Sequence, residues 1–194
     1  MKRITANELS ILLKKDNPII ENYLIESLDF SNKVVNKKII INNCKLNLCR
    51  FINSQFSSII IKDSVINYCE FIDTDMINIE FIKCKIMNST FGRSKQKECD
   101  YELCTIENVY FTNLKKGKIT FLRSSFVNKI SFEGANLNNG LFICCNYKYN
   151  KTYSLNFMNT SLKGTKFEDC YNIEPEFCLH NGLESFIKRV LRKE

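Results

Sequence analysis

The chain has 194 residues, 44% of them hydrophobic, and a formal net charge of +7. This length predicts one domain with a continuous core. No apolar run reaches about 18 residues, so no membrane-spanning helix is expected. The polar helical pattern after Met1 is not that of a signal peptide, and we expect a cytoplasmic protein.

Residues 1–40 predict an N-terminal helix followed by an irregular capping coil. Thr5 and Glu8 have the spacing of a capping box, which predicts a helix over residues 4–16. Pro18 then ends the helix. Because a repeat protein exposes its interior at its first repeat, this segment is expected to cap the first regular coil.

Residues 41–177 carry an apolar residue at nearly every fifth position. The exceptions are Gln96, Lys116, Thr152 and Asn172, and one extra residue falls within residues 127–131. A period of five fits neither a helix nor a flat strand, so the chain must bend once per repeat. The apolar positions are Ile41, Leu46, Phe51, Phe56, Ile61, Ile66, Phe71, Met76, Phe81, Ile86, Phe91, Tyr101, Ile106, Phe111, Phe121, Phe126, Phe132, Leu137, Phe142, Tyr147, Phe157, Leu162, Phe167 and Phe177.

Two further positions of each repeat support this interpretation. A small residue often stands two places before the apolar one, where it points the same way, into the core. Two places after the apolar residue the chain often has Asn, Asp or Gly, which tolerate the positive φ of tight corners. Four such corners close a coil of about 20 residues. The predicted corners are Asn43, Asn53, Asp63, Asp73, Asn78, Asn88, Asn108, Asn113, Asn128, Gly134, Asn139, Asn159, Gly164 and Asp169.

The repeat resembles that of the pentapeptide-repeat family. Ala135-Asn136-Leu137 fits its pattern of a small residue, Asp or Asn, and Leu or Phe, and Cys44-Lys45-Leu46 and Cys49-Arg50-Phe51 fit more loosely. The resemblance implies an all-β solenoid, a right-handed quadrilateral β-helix, here with short N- and C-terminal α-helices. The family is functionally mixed. Some members resemble B-DNA in width and charge, bind DNA gyrase to give quinolone resistance, and dimerise through a C-terminal helix.

Centres 20 residues apart are expected to stack in successive coils. One stack should contain Phe51, Phe71, Phe91, Phe111 and Phe132. The same spacing brings cysteines together, but they occupy the small inward position, where cysteine behaves as a small hydrophobe. We therefore favour free thiols over disulfides or a metal site. The inward cysteines are Cys44, Cys49, Cys69, Cys84, Cys99, Cys104, Cys145 and Cys170.

Gln96 and Lys116 interrupt the repeat 20 residues apart, so they should lie on one face of adjacent coils. A lysine ammonium cannot enter an apolar core unpaired, and both segments are expected to bulge outward. The result would be a basic surface, which is either simply solvated or a site for an acidic partner, nucleic acid or lipid headgroup. Its residues are Arg93, Lys95, Lys97, Lys115, Lys116 and Lys118.

Residues 178–194 predict a C-terminal amphipathic helix, with its first turn near Asn181 and Glu184. This helix could cap the open end of the solenoid or form a homodimer, and the sequence does not decide between the two. Its apolar stripe consists of Leu183, Phe186, Ile187, Val190 and Leu191.

The sequence favours a non-enzymatic protein that binds or organises an unidentified protein partner. His180 is the only histidine, and neither a glycine-rich phosphate loop nor a cofactor motif is present. Tyr149 and Tyr153 lie among lysines, but Tyr147 beside them is a predicted core residue, so nucleic-acid binding is not favoured. A gyrase-binding factor is an alternative, although a DNA mimic needs negative charge. Polyanion binding through the basic surface is a second alternative.

Overall fold

The computed structural model describes residues 1–148 and 155–173. These residues form an all-β solenoid of about seven turns with one short helix. Every strand pairs in parallel with a strand of the next coil, so the two sheets run along the solenoid. The predicted all-β solenoid is confirmed, whereas the predicted C-terminal helix lies outside the described residues.

The first sheet has nine strands: β1 (Lys2–Arg3), β3 (Tyr23–Glu26), β5 (Lys45–Asn47), β7 (Val65–Asn67), β9 (Lys85–Met87), β11 (Thr105–Tyr110), β13 (Ser125–Ser131), β15 (Asn146–Lys148) and β16 (Leu155–Asn156). The second sheet has eight: β2 (Ile19–Glu21), β4 (Val34–Asn42), β6 (Gln55–Lys62), β8 (Asp75–Ile82), β10 (Lys95–Glu102), β12 (Lys115–Leu122), β14 (Leu141–Ile143) and β17 (Lys166–Glu168). Further isolated parallel bridges link successive coils, and they join Asp29 to Arg50, Arg50 to Glu70, Glu70 to Thr90 and Thr90 to Tyr110.

The chain turns at corners five residues apart, each in the left-handed region of backbone conformation. All fourteen predicted corners have positive φ, for example 47° at Asn43 and 50° at Asp63. The same conformation recurs where the residue type does not favour it, as at Leu48 with φ of 55° and Leu103 with φ of 55°. The position in the repeat, and not the residue alone, therefore sets the corner.

The predicted phenylalanine stack is the centre of the core. Its ring centroids are 4.6 Å apart for Phe51 and Phe71, 4.7 Å for Phe71 and Phe91, and 5.0 Å for Phe91 and Phe111. The stack continues to Phe132 as expected and extends beyond the prediction to Phe30 at one end and Phe157 at the other.

A second aromatic stack lies against the first. It consists of Phe81, Tyr101, Phe121, Phe142 and Phe167, with centroid separations of 4.6 to 4.9 Å. Rings of the two stacks meet edge to face, as Tyr101 and Phe111 do at 5.9 Å and 90°. Aromatic pairs favour both geometries, so each ring contributes contacts within its stack and across it. Below Phe81 the second stack continues with the aliphatic residues Ile61, Ile41 and Ile20.

The small inward residues do more than fill space, because their hydroxyl and thiol groups reach the backbone of the preceding coil. Ser124 Oγ donates to the Tyr101 carbonyl at 2.8 Å, and Cys104 Sγ lies 3.2 Å from the Phe81 carbonyl oxygen. The nine described cysteines are free thiols. Seven of the eight predicted inward cysteines are buried and Cys170 is half-buried. Burial raises the pKa of Cys99 to about 12, so this thiol stays protonated.

Helix α1 (Ala6–Leu13) caps the first coil and is shorter than the predicted range. Its capping box is present: the Thr5 N–H donates to Glu8 Oε2 at 2.8 Å, and the Glu8 N–H donates to Thr5 Oγ1 at 3.2 Å. The Thr5 hydrogen bonds, together with Lys2, lower the pKa of Glu8 to about 2. Leu9 is buried against the core. The first coil starts at Ile19, where β2 pairs with β4. It has one extra residue, which appears as a register shift between Asn36 and Ile39 in the pairing of β4 with β6.

Single inserted residues are absorbed as local register shifts. The extra residue within residues 127–131 forms a bulge, because Glu107 aligns with Val127 while Val109 aligns with Ile130. A larger change occurs in the next coil. The alignment of Phe126 with Tyr147 has an offset of 21 residues, and that of Ile130 with Leu155 has an offset of 25.

Candidate functional site

The basic residues predicted to cluster are brought together on strands β10 and β12. Lys95 aligns with Asp75 of β8 on one side and with Lys115 of β12 on the other. Strands in register are about 4.8 Å apart, so the two lysines are nearest neighbours across the sheet. We call the set Arg93, Lys95, Lys97, Lys115, Lys116 and Lys118 the basic wall. Lys95 is half-buried and the other five are exposed.

A bulge in β12 gives the basic wall its shape. Lys97 aligns with Lys118, one residue further along β12 than the register of Lys95 with Lys115. The original register returns at Cys99 and Ile119. The corner residue of β10 between Lys97 and Cys99 therefore has no aligned residue in β12, and this missing residue offsets the extra one in the bulge. This explains why the apolar repeat resumes on time after Lys116.

Gly117 makes the bulge possible. A Cβ atom on Gly117 would overlap the backbone carbonyl of Gln96 in the coil below. Only glycine lets the two backbones approach this closely. Because Gly117 lies over Gln96, the Lys116 side chain is exposed to solvent. Leu114 is buried at the position where the adjacent coils have Ser94 and Ala135, and it supplies apolar volume beside the bulge.

The prediction that Gln96 also bulges outward is wrong. Gln96 is buried, and its Oε1 accepts a hydrogen bond of 2.9 Å from the Tyr101 hydroxyl. Its Nε2 lies 3.4 Å from Ser94 Oγ. A neutral amide can enter an aromatic core when its polar atoms have partners, whereas an ammonium group cannot. The equivalence of Gln96 and Lys116 in the sequence was therefore misleading.

Two members of the basic wall form ion pairs with one carboxylate that sequence reasoning did not assign to the site. Arg93 Nη2 lies 2.8 Å from Asp73 Oδ2, and Lys115 Nζ lies 3.8 Å from Asp73 Oδ1. The hydrogen bonds from Arg93, together with the charges of Arg93 and Lys115, hold the pKa of Asp73 below its usual range. The 20-residue spacing of Asp73 and Arg93 was the signal that could have revealed this pair.

The other four lysines are not neutralised in this way. Among the ion pairs of the described residues, none involves Lys95, Lys97, Lys116 or Lys118. Exposed Glu98 and Asp100 come next on the same strand and dilute the positive charge at one side. The wall therefore holds four lysines without an ion pair beside a group of two cations and one carboxylate, Arg93, Lys115 and Asp73, which keeps a net positive charge.

Several predicted features lie outside the described residues. They include Tyr149, Tyr153, Phe177, His180 and the apolar stripe of the predicted C-terminal helix, Leu183, Phe186, Ile187, Val190 and Leu191. Tyr147 is described and is a buried core residue, as expected. In residues 1–148 and 155–173, no three His, Cys, Asp or Glu side chains are grouped so that they could hold a metal ion.

The stacked parallel coils, the corners five residues apart and the inward rings define the class of this fold: a β-solenoid of the pentapeptide-repeat type. Over the described part of the chain, no helix has the length and apolar character needed to cross a membrane. No protein-family model matches the sequence, and no curated protein matches it.

A particular solved structure with this fold is QnrB1, described as a plasmid-mediated fluoroquinolone resistance protein. One trypsin-treated variant of QnrB1 matches with a TM-score of 0.52 at 15% identity, covering 98% of this chain and 94% of that chain. A second gives 0.51 at 14% identity, covering 98% and 93%. HetL, a pentapeptide repeat protein involved in heterocyst differentiation regulation in Nostoc sp. strain PCC 7120, gives 0.39 at 10% identity, covering 91% and 100%. At these identities the likeness to QnrB1 concerns the fold alone.

Proposed function

We propose that the chain is a non-enzymatic scaffold that uses its basic wall to bind an acidic surface of a protein partner. The observation that carries this proposal is the pairing of like charges across adjacent strands, Lys95 with Lys115 and Lys97 with Lys118. Like charges directly opposite each other destabilise a sheet. An arrangement that is unfavourable for the isolated solenoid becomes favourable when an anionic surface covers it.

The rigidity of the wall supports the same proposal. The lysine backbones belong to the paired parallel strands β10 and β12, which are in register on both sides of the bulge, so their spacing is fixed before a partner arrives. Pre-positioned groups lose less entropy on binding than groups on a mobile loop. Free thiols persist where the compartment is reducing, and a cytoplasmic location is part of this proposal.

The test is an affinity purification from the native organism with the basic wall altered. In one variant Lys95, Lys97, Lys116 and Lys118 are replaced by Gln. The matched control replaces Lys45, Lys62, Lys83 and Lys163 by Gln, which removes the same charge from other positions. A partner retained by the control and lost by the wall variant supports the proposal. Equal retention by both variants refutes it.

Polyanion binding is the first alternative, and the free lysines of the wall favour it too. Titration with a DNA duplex or heparin distinguishes it from recognition of one protein. A pure polyanion site would bind both probes, with an affinity that falls steeply as salt is raised. The four-lysine variant would lose most of that salt dependence. Binding that the variant leaves unchanged rejects this alternative.

A topoisomerase-binding factor of the quinolone-resistance type is the second alternative, suggested by the fold match to QnrB1. The formal net charge of +7 argues against it, because imitation of DNA needs a negative surface. A supercoiling assay with DNA gyrase and a quinolone decides the matter. Absence of protection at micromolar protein removes this alternative.

We also propose that Leu183, Phe186, Ile187, Val190 and Leu191 form the apolar face of a helix that caps the solenoid or joins two copies. Light scattering on the full chain and on a variant with Ile187 and Val190 replaced by Ser separates the two roles. A dimer that becomes a monomer indicates the interface. A monomer that only loses stability indicates the cap. An unchanged mass and stability contradict both.

A further inference from the structure

An apolar cavity of about 90 Å³ lies within the first coils, next to helix α1. Only apolar side chains line it, among them Leu13, Ile20, Val35, Ile41, Ile61 and Phe81. The cavity exists because the second aromatic stack ends at Phe81. Isoleucines take the place of rings in the three coils below, and they leave part of the interior unfilled.

The exposure of the core residues agrees with this cavity. Phe56 and Ile59, which line it, are both 8% exposed, whereas Phe111 and Phe121 in the fully aromatic coils are 0% exposed. Of the lining residues at the N-terminal end, Leu13 on α1 and Val35 and Ile41 on β4 are half-buried, whereas Leu9, Ile20 and Ile25 are buried. The cavity is therefore less covered between α1 and β4, a region that we call the seam.

Lysines surround this seam. Lys37 Nζ donates a hydrogen bond of 3.1 Å to the Lys15 carbonyl oxygen, which ties β4 to the end of α1. Lys14 and Lys15 come directly after Leu13 and are exposed, and Asp16 is the neighbouring acidic side chain. Three lysines and one aspartate therefore lie on the segments that border the seam.

We propose that this cavity binds the terminal carbons of an unbranched alkyl chain with an anionic head, as in a medium-chain fatty acid. A dry apolar cavity of about 150 Å³ admits benzene or xenon, so one of about 90 Å³ accepts a few methylene groups but not an aromatic ring. The remainder of the alkyl chain lies along the seam past Leu13 and Val35. The carboxylate then lies near Lys14, Lys15 and Lys37.

The experiment is a titration of the methyl-labelled full chain with sodium octanoate, monitored by NMR. The methyl groups of Ile61, Met76 and Ile79 line the cavity and report binding. Those of Ile106 and Ile130 lie in the aromatic half and serve as internal controls. The expected result is a saturable shift of the first group only.

Cavity-filling variants test the position of the alkyl chain. Ile61→Phe and Ile41→Phe each extend the second aromatic stack into the cavity, and either should abolish the octanoate shifts. Two separate variants are used in case one does not fold, with circular dichroism as the check. Shifts that persist in a folded variant, or no shift of Ile61, Met76 and Ile79 in the unaltered chain, overturn the proposal.

The anionic head is tested with 1-octanol, which has the same chain length without charge. Replacing Lys15 and Lys37 by Gln should weaken octanoate binding about threefold and leave octanol binding unchanged. The control Lys118→Gln should alter neither. Equal affinity for the two probes, insensitive to the lysine changes, overturns the assignment of an anionic ligand.

Discussion

The Tyr101 hydroxyl donates a hydrogen bond of 2.9 Å to Gln96 Oε1 inside the aromatic core of the solenoid. Tyr101 is 0% exposed and Gln96 is 2% exposed, so water does not compete for this bond. Burial raises the pKa of Tyr101 well above its usual range, which keeps the hydroxyl protonated as a donor. The pair allows one polar amide to occupy a position that other coils fill with apolar side chains.

Removing only one member of this pair should be costly. Tyr101→Phe leaves the Gln96 oxygen buried without its donor, and we expect a loss of about 1–3 kcal/mol in the free energy of unfolding. Gln96→Leu in addition to Tyr101→Phe should recover most of that loss, because neither polar atom then remains. Urea unfolding of the two single variants and the double variant measures the coupling. Additive losses would show that the two side chains do not interact.

Removing a ring from the middle of the first stack should destabilise the whole solenoid. Phe91→Ala deletes a fully buried ring with neighbours above and below it. We expect a loss of about 3–5 kcal/mol in the free energy of unfolding. Phe30→Ala is the matched control, because Phe30 is half-buried at the end of the stack and should cost less. A loss below about 1 kcal/mol for Phe91→Ala would contradict the importance of the stack.

The bulge on β12 should depend on a single glycine. Gly117→Ala places a Cβ against the Gln96 carbonyl, and the resulting displacement should cost about 1–3 kcal/mol. The same substitution at Gly92 places a Cβ 3.4 Å from Thr90 Oγ1, an ordinary contact, and should change stability by less than about 1 kcal/mol. Thermal unfolding monitored by circular dichroism compares the two. Equal melting temperatures would mean that the bulge rearranges freely.

Substitution of a poorly suited corner residue should stabilise the solenoid. Leu48 has φ of 55° and its side chain is 51% exposed. It therefore adopts the unfavourable left-handed conformation while its side chain buries little apolar surface. Leu48→Asn should raise the free energy of unfolding by about 0.5–1 kcal/mol, because Asn tolerates this conformation better. Leu48→Ala removes the same exposed surface without that tolerance and should be close to neutral. A gain of equal size in both variants would assign the effect to lost surface apolarity.

The solenoid could be predicted from the sequence because each coil repeats the same local requirements. The 20-residue spacing of Phe51, Phe71 and Phe91 predicts the stack. The Asn and Asp residues two places after the apolar positions predict the corners. The burial of Gln96 could not be predicted in the same way. It depends on the hydroxyl group of Tyr101, whereas the five-residue repeat treats Tyr101 as one more apolar residue.

The basic wall was only partly predictable for a related reason. A 20-residue spacing shows which side chains are neighbours but not which of them form ion pairs. Asp73 was assigned as a corner and also proved to be the partner of Arg93 and Lys115. The apolar cavity shows a further limit. The sequence shows that the coil before Phe81 has Ile61 in place of a ring. It does not show the volume of the cavity, because that volume depends on how the side chains from all four faces of the coil pack.

The register change between Tyr147 and Leu155 has a consequence for how such a chain can evolve. Four residues are added there, yet Phe132 still stacks on Phe157 at 5.0 Å and Phe142 on Phe167 at 4.7 Å. The stacked rings therefore keep their contacts although the offset between the two coils grows from 21 to 25 residues. A repeat of this kind can change the length of one coil without any mutation at the ring positions.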